Sequence, residues 1–265
     1  MRPGTCFAHV LLIALLAAAP AIAAPVPSTA AAQGSLRWLH IERRIENGYF
    51  QQDSAGLTAL DGTLSADGMA DGDATKDQEW GNYYGALLAY RLALLARNDE
   101  GRAWPFTQQC VDRLNRVLAL DAGSVEALAL QSACLALQSS LDPWRSPLAA
   151  SRSRARIDEA LKLAPDNPRV LLLGALAARE WPRLFGGDYQ QAFALMQRAV
   201  SAFERQSRPV AGLPGWGAAD AFTYLAQDYL TRGEALAARN VLERALLVAP
   251  DFTQARRLMA EIVSG

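Results

Sequence analysis

The stretch ADAFTYLAQDYLTRGEALAARNVLERALLVAPDF, residues 219–252, contains two amphipathic helical patterns joined by a turn. Small residues stand where the two helices would approach most closely, at Ala226, Ala238 and Ala245. Large apolar residues that would fill the remaining gaps are Phe222, Leu225, Tyr229 and Leu242. Gly233 relaxes the turn, and Pro250 ends the second helix. The stretch therefore predicts a helical hairpin that buries one face of each helix.

These positions resemble the tetratricopeptide repeat (TPR), a helix–turn–helix unit of 34 residues, at every signature position. Earlier copies are stretched by insertions. The segment SRARIDEALKLAPDNPRV, residues 153–170, repeats the end of the unit, with Pro165 in the place of Pro250. A unit between them carries Gly174 on its first helix and Met196 on its second. Repeats of this kind stack because one hairpin cannot cover its own apolar face.

The resemblance implies an all-α fold, a right-handed α-α superhelix of helical hairpins with about 10–11 helices. We expect residues 35–265 to form a single repeat domain. Within it, N-terminal helices cover about 35–97, TPR-like repeats about 98–252, and a capping helix about 251–264. Residues 24–34, APVPSTAAAQG, are expected to be a flexible tail.

The first 23 residues have the pattern of a secretory signal peptide. Arg2 precedes a short apolar run that begins near Val10, and Ala21 and Ala23 form a small-x-small cleavage pattern. The run is too short to span a membrane, and no later stretch approaches the required length of about 18 residues. We therefore predict a cleaved leader over residues 1–23, a periplasmic protein, and no integral membrane segment after cleavage.

The charge balance argues against nucleic acid as a partner. The chain has 26 basic and 27 acidic residues and a formal net charge of −1, which loss of Arg2 with the leader makes more negative. A protein that neutralises phosphates needs a basic excess on one face.

The segment REWPRLFGGDYQQAFALMQRA, residues 179–199, interrupts the helical pattern. Asp188, followed by Gln191, predicts a capped helix start after it. Residues 181–187 therefore lengthen the turn inside a repeat, and 205–217 form a second insertion. We expect Trp181, Leu184 and Phe185 to pack as a small apolar pad; contact with a ligand is the alternative.

Cys110 and Cys134 are the cysteines that remain after leader cleavage, and both lie at apolar helical positions. In an oxidising compartment they could form a disulfide. They could also remain free as small apolar core residues.

The residues provide no positive support for an enzyme, a metal site or a cofactor. His40 is the single histidine of the mature chain, and no nearby set of residues could orient it for catalysis. The acidic stretch over residues 67–79 places Met69 where a calcium loop requires a carboxylate, so we interpret it as a solvated linker. The cluster EWGNYYGALLAYRLALLARN, residues 79–98, is interpreted as core packing, with one or two tyrosines able to line a groove.

In TPR proteins the first helices line a concave surface that binds peptide segments. Transferred by this resemblance, the groove residues are Arg169, Leu172, Leu176, Arg179, Asp220, Thr223, Gln227 and Leu230. This groove is apolar in the middle and has an arginine at each end, which suits an amphipathic ligand with acidic groups. Our leading hypothesis is a non-enzymatic periplasmic scaffold that binds a protein or peptide segment of another envelope protein. The alternative is a small-molecule-binding accessory protein of a solute transport system.

Overall fold

The computed structural model describes residue 1 and residues 29–66, 74–142, 144, 148–181, 187–206 and 214–264. These residues form helices and connecting turns, with no β-strand among them. Their eleven helices are α1 (Thr29–Phe50), α2 (Ser54–Ala66), α3 (Ala74–Leu95), α4 (Glu100–Leu120), α5 (Val125–Leu141), α6 (Ala149–Leu163), α7 (Pro168–Glu180), α8 (Tyr189–Arg205), α9 (Ala218–Thr231), α10 (Ala235–Val248) and α11 (Thr253–Ser264). None of them is long and apolar enough to cross a membrane.

Four helical hairpins make up most of the described chain: α3 with α4, α5 with α6, α7 with α8, and α9 with α10. The hairpins pack in sequence order, and α11 packs against the last of them. The prediction of an all-α helical repeat fold is confirmed. We call the first helices of the hairpins, α3, α5, α7 and α9, the inner helices.

The alanines of residues 219–252 lie where the sequence predicts. Ala226, Ala238 and Ala245 are fully buried, which lets α9 and α10 approach closely. Gly233 in the turn between them has a φ of +76°, in the left-handed region that glycine adopts without strain. The close packing of α9 on α10 and the conformation of the turn between them therefore agree with the prediction from the sequence.

The interrupted stretch over residues 179–199 separates α7 from α8. The side chain of Asp188 caps α8 by accepting a hydrogen bond from the Gln190 amide at 2.8 Å. Trp181 is buried, and its indole N–H donates to Ser153 Oγ at 2.9 Å, so this part of the predicted apolar pad is a packing element. Leu184 and Phe185 lie outside the described residues.

Cys110 on α4 and Cys134 on α5 form a disulfide, with their Cα atoms 6.4 Å apart. This bond joins the first hairpin to the second. Of the two alternatives, the structure contains the disulfide and not two free thiols.

Helix α1 extends along the inner helices instead of continuing the stack. It begins at Thr29, earlier than residue 35, at which we expected the domain to start. The Trp38 ring of α1 stacks on Tyr84 of α3, whereas Tyr49 at its other end packs on Phe252, in the turn before α11. One helix therefore contacts both ends of the array, and it determines how much of the inner surface stays accessible.

Candidate functional site

The inner helices enclose a cavity of about 230 Å³, which we call the inner chamber. All four of them contribute to its lining. The lining residues are Tyr90, Leu94 and Arg97 from α3 and the turn after it, Ala133 and Leu137 from α5, Leu176, Arg179 and Glu180 from α7, and Tyr224 and Gln227 from α9.

The deep part of the inner chamber is apolar and aromatic. Tyr90, Ala133 and Leu137 are almost fully buried, so they form the part that is furthest from solvent. Tyr224 forms another part of the wall. Burial raises the pKa of Tyr224, and a hydrogen bond from Tyr49 opposes this shift. The Tyr224 hydroxyl therefore stays protonated at neutral pH.

Two arginines provide the cationic groups of the inner chamber. Arg97 Nη2 donates to Glu180 Oε1 at 3.0 Å, and the Arg97 side chain is 46% exposed. Arg179 forms an ion pair with Asp228 and lies 5.6 Å from the centre of the Tyr224 ring. Burial raises the pKa of Asp228, and Arg179 opposes that shift. Both arginines lie at helix C-termini, Arg97 just after α3 and Arg179 in the last turn of α7. Basic residues are favoured at such ends because helix C-termini carry a partial negative charge.

A second cavity of about 470 Å³, the outer chamber, adjoins the first. The two chambers share Leu94, Arg97, Tyr224 and Gln227. The outer chamber is also lined by Tyr49 at the end of α1 and by Phe252, Gln254 and Arg257 near the start of α11. We call the two chambers together the inner cleft. The outer part of the inner cleft lies between the end of α1 and the start of α11.

Elsewhere the inner surface is covered by α1 and by residues 214–217. Glu42 of α1 accepts hydrogen bonds from the Tyr84 hydroxyl and from the Gly215 amide, both at 2.9 Å. Gly217 has a φ of +105°, and a Cβ at this position would lie 3.1 Å from Leu172 Cδ2. The segment therefore packs directly onto the residues beneath it.

A buried ionic cluster joins α1 to the inner helices. Arg91, 1% exposed, donates to both carboxylate oxygens of Glu46 and to both of Asp220, over distances of 2.7 to 3.0 Å. The Arg91 guanidinium also lies 4.1 Å from the centre of the Tyr49 ring. Burial raises the pKa of Glu46 to about 8. The positive charge of Arg91 opposes this rise, and the nearby negative charge of Asp220 adds to it. Burial likewise raises the pKa of Glu42.

Three of the groove residues expected from the sequence line the inner chamber: Leu176, Arg179 and Gln227. Leu230 is partly buried and packs against the core. The other four are at most 1% exposed, and these are Arg169, Leu172, Asp220 and Thr223. They do not lie on an accessible groove, which corrects the expectation transferred from the repeat.

Three of these four buried residues have a hydrogen-bond partner within the chain. Arg169 Nε donates to both carboxylate oxygens of Glu126 at 3.0 Å, and Asp220 is bound by Arg91. Thr223 Oγ1 donates to the Ala219 carbonyl at 2.8 Å. Because α1 and residues 214–217 cover this region, both charges face a partner within the chain.

The other candidates for chemistry do not converge on a site. His40 is exposed on α1. Asp77 of the acidic stretch accepts a hydrogen bond from the Trp38 indole at 3.0 Å, and residues 67–73 lie outside the described part of the chain. Within the described residues, no group of three or more His, Cys, Asp or Glu side chains could hold a metal ion.

Arg97, Glu180 and Tyr224 are lining residues that the sequence did not single out. Transfer from the repeat selects positions within one helix, whereas these residues meet because the ends of different helices converge. A usable signal is present in the sequence, since Arg97 and Arg179 come after the apolar runs of two inner helices, α3 and α7. Tyr90 belongs to the segment over residues 79–98, in which the sequence allows one or two unspecified tyrosines to line a groove, and it lines the inner chamber.

The fold and its cleft define a class: an all-α array of stacked helical hairpins with a cleft between its first helices. HusA haemophore from Porphyromonas gingivalis is similar in structure, with a TM-score of 0.53 and 19% sequence identity. The similarity covers 76% of this chain and 92% of that protein. A thermophilic TPR protein of Thermus thermophilus gives a TM-score of 0.48 at 16% identity, covering 83% of this chain and 100% of that one. No protein family and no curated protein matches the sequence.

Proposed function

We propose that this chain is a non-enzymatic binding protein of the bacterial cell envelope that takes a small amphipathic ligand into the inner cleft. One observation carries the proposal: four inner helices enclose a cavity lined by apolar, aromatic and cationic side chains. Ligand sites in proteins are typically concave, mostly apolar, and fitted with a few convergent polar groups. The outer chamber alone falls within the usual volume range of such sites, about 300–1,000 Å³.

The geometry favours a small molecule over the extended peptide that was our leading hypothesis. An extended peptide needs a long open surface, and α1 already covers much of the inner surface. Four of the eight residues transferred from the repeat are buried. The accessible part that remains is compact, and it suits the alternative hypothesis of a small-molecule-binding protein, such as an accessory to a solute transporter.

Binding without catalysis is supported by the chemistry of the lining. Among the described residues, neither chamber is lined by a histidine or a cysteine. The polar groups that line the two chambers are tyrosine hydroxyls, amides, a serine hydroxyl and ion-paired side chains, which suit recognition of a ligand. The leader pattern over residues 1–23 supports export, and the Cys110–Cys134 disulfide suits an oxidising compartment.

The proposal is tested by native mass spectrometry of the protein purified from a periplasmic extract without denaturation. We expect a bound small molecule in the unmodified chain and its loss in Ala133→Phe, which places a ring in the inner chamber. Haem is a suitable added probe, because HusA is a haemophore and haem combines an apolar ring with acidic groups. Its binding is read from the absorbance spectrum.

Cell fractionation and a control variant complete the test. Arg239→Gln alters an exposed arginine of α10, remote from the cleft lining, and should leave ligand capture unchanged. A protein found only in the cytoplasmic fraction would refute the envelope location. If Ala133→Phe retains the ligand, or if a polypeptide co-purifies in a cleft-dependent manner instead, the small-molecule proposal is wrong.

A further inference from the structure

We infer that the ligand of the inner cleft is a compact aromatic carboxylate, with its ring in the inner chamber and its carboxylate at Arg97 and Arg179. This inference rests on the proposed function and specifies the chemical class of the ligand. It follows from the volume of the inner chamber, the chemistry of its walls and the sign of the charge at its rim.

The volume limits the ring system. An apolar protein cavity of about 150 Å³ accommodates benzene. The inner chamber, at about 230 Å³, therefore has room for one or two fused rings. A peptide helix, with a diameter of roughly 10 Å, would not fit in it.

The walls favour an aromatic group. Tyr90 and Tyr224 present rings to the chamber, and Leu94, Leu137 and Leu176 supply aliphatic surface. Aromatic rings pair with one another more favourably than the burial of their area alone would provide. Ala133 contributes only a methyl group, which leaves space that a larger residue would fill.

Arginines outnumber carboxylates among the residues that line the rim. The charged residues that line the inner chamber are Arg97, Arg179 and Glu180. The outer chamber adds Arg257, whose side chain is 65% exposed. A guanidinium carries five N–H donors, so the bond from Arg97 to Glu180 leaves donors for a second carboxylate. Arginine suits this role because its planar group binds carboxylates through two parallel hydrogen bonds.

Three probes with the same ring system separate charge from shape: indole-3-acetate, indole and tryptamine. They are anionic, neutral and cationic at neutral pH, and each is titrated into the full-length mature protein by calorimetry. We expect indole-3-acetate to bind at least tenfold more tightly than tryptamine, with indole between them. Equal or tighter binding of tryptamine would overturn the inference, since the arginines would then serve only their own ion pairs and helix ends.

Variants locate the two parts of the ligand. Arg97→Gln should weaken indole-3-acetate about tenfold and leave indole unchanged, whereas Arg239→Gln should alter neither. Ala133→Phe should abolish binding of both probes. Gln227 lines both chambers and is partly exposed, so Gln227→Trp should narrow their junction without disturbing the core. This variant replaces Ala133→Phe in the test if Ala133→Phe fails to fold.

The outcomes distinguish this inference from the proposed function. If no indole probe binds, while a co-purified molecule or haem is still lost in Ala133→Phe or Gln227→Trp, the cleft is a ligand site and the aromatic carboxylate class is wrong. If neither variant affects the capture of any ligand, the cleft is not the site, and both proposals fail.

Discussion

Arg91 on α3 donates hydrogen bonds to Asp220 on α9 at 3.0 and 2.7 Å, across 129 residues of sequence. The same guanidinium binds Glu46 on α1. This arginine therefore connects the N-terminal helix, the first hairpin and the last hairpin. Repeat arrays normally couple only neighbouring units. In this chain, a buried charge and one crossing helix couple the two ends.

Replacing Arg91 should destabilise the whole array. Arg91→Leu leaves the buried Asp220 carboxylate without its cation and Glu46 without its hydrogen-bond donor, and breaking a buried pair in this way costs about 3–5 kcal/mol. We expect a large loss in the free energy of unfolding, measured by urea denaturation. Arg239→Gln removes an exposed pair and should change it by less than about 0.5 kcal/mol. Equal stability of the two variants would contradict a structural role for Arg91.

Stability should fall as the pH rises from about 5 to 8. The pKa of Glu46 is near 4.5 when unperturbed and about 8 in the folded chain, so the folded state holds a proton that the unfolded state releases. Stability falls with pH wherever the folded state binds more protons. Thermal melts across this range should show the decline, and Glu46→Gln should reduce its slope.

Glu159→Gln provides the control for this slope, since Glu159 pairs with Arg156 at the exposed surface. It should preserve the pH dependence of the unmodified chain. A slope unaffected by Glu46→Gln would show that Glu46 is ionised in the folded state throughout this range.

The two arginines Arg169 and Arg97 should respond differently to the same substitution. Arg169→Gln breaks a buried pair with Glu126 and should cost several kcal/mol of stability. Arg97→Gln removes a half-exposed pair and should cost about 1 kcal/mol or less. Denaturation curves compare them directly. The resemblance to the repeat implies that Arg169 lines an open groove, and its burial beside Glu126 reverses that expectation.

The disulfide should stabilise the first two hairpins. Cys110 and Cys134 are 24 residues apart, and a bond closing such a loop contributes about 2–4 kcal/mol. Cys110→Ala with Cys134→Ala should therefore lower the melting temperature, and a reductant should lower it in the unmodified chain only. Mass spectrometry under alkylating conditions checks whether the bond forms in the purified protein.

Overpacking the last hairpin tests its close helix approach. Ala238 is fully buried between α9 and α10, so Ala238→Leu should cost about 1–3 kcal/mol. Leu236 on the same helix is 80% exposed, and Leu236→Ala is the matched control, with little expected effect. If thermal denaturation shows no difference, the helices are further apart than the structure indicates.

Much of the fold could be predicted from local pattern. The hairpin over residues 219–252 follows from the spacing of Ala226, Ala238 and Ala245, because only small residues allow two helices to nest. The start of α8 follows from Asp188, whose carboxylate satisfies a backbone amide at the helix end. Such features depend on residues close together in sequence, so one sequence is enough to predict them.

The accessible surface could not be predicted in the same way. The resemblance to the repeat assigned Arg169, Leu172, Asp220 and Thr223 to first helices, but it could not show that α1 and residues 214–217 pack over this region. The amphipathic pattern of a helix specifies which face is apolar, and it contains no information about which distant segment packs there. Only the tertiary structure decided that the open groove becomes a compact cleft, because that outcome depends on contacts such as Glu42 with Gly215, between residues 173 positions apart.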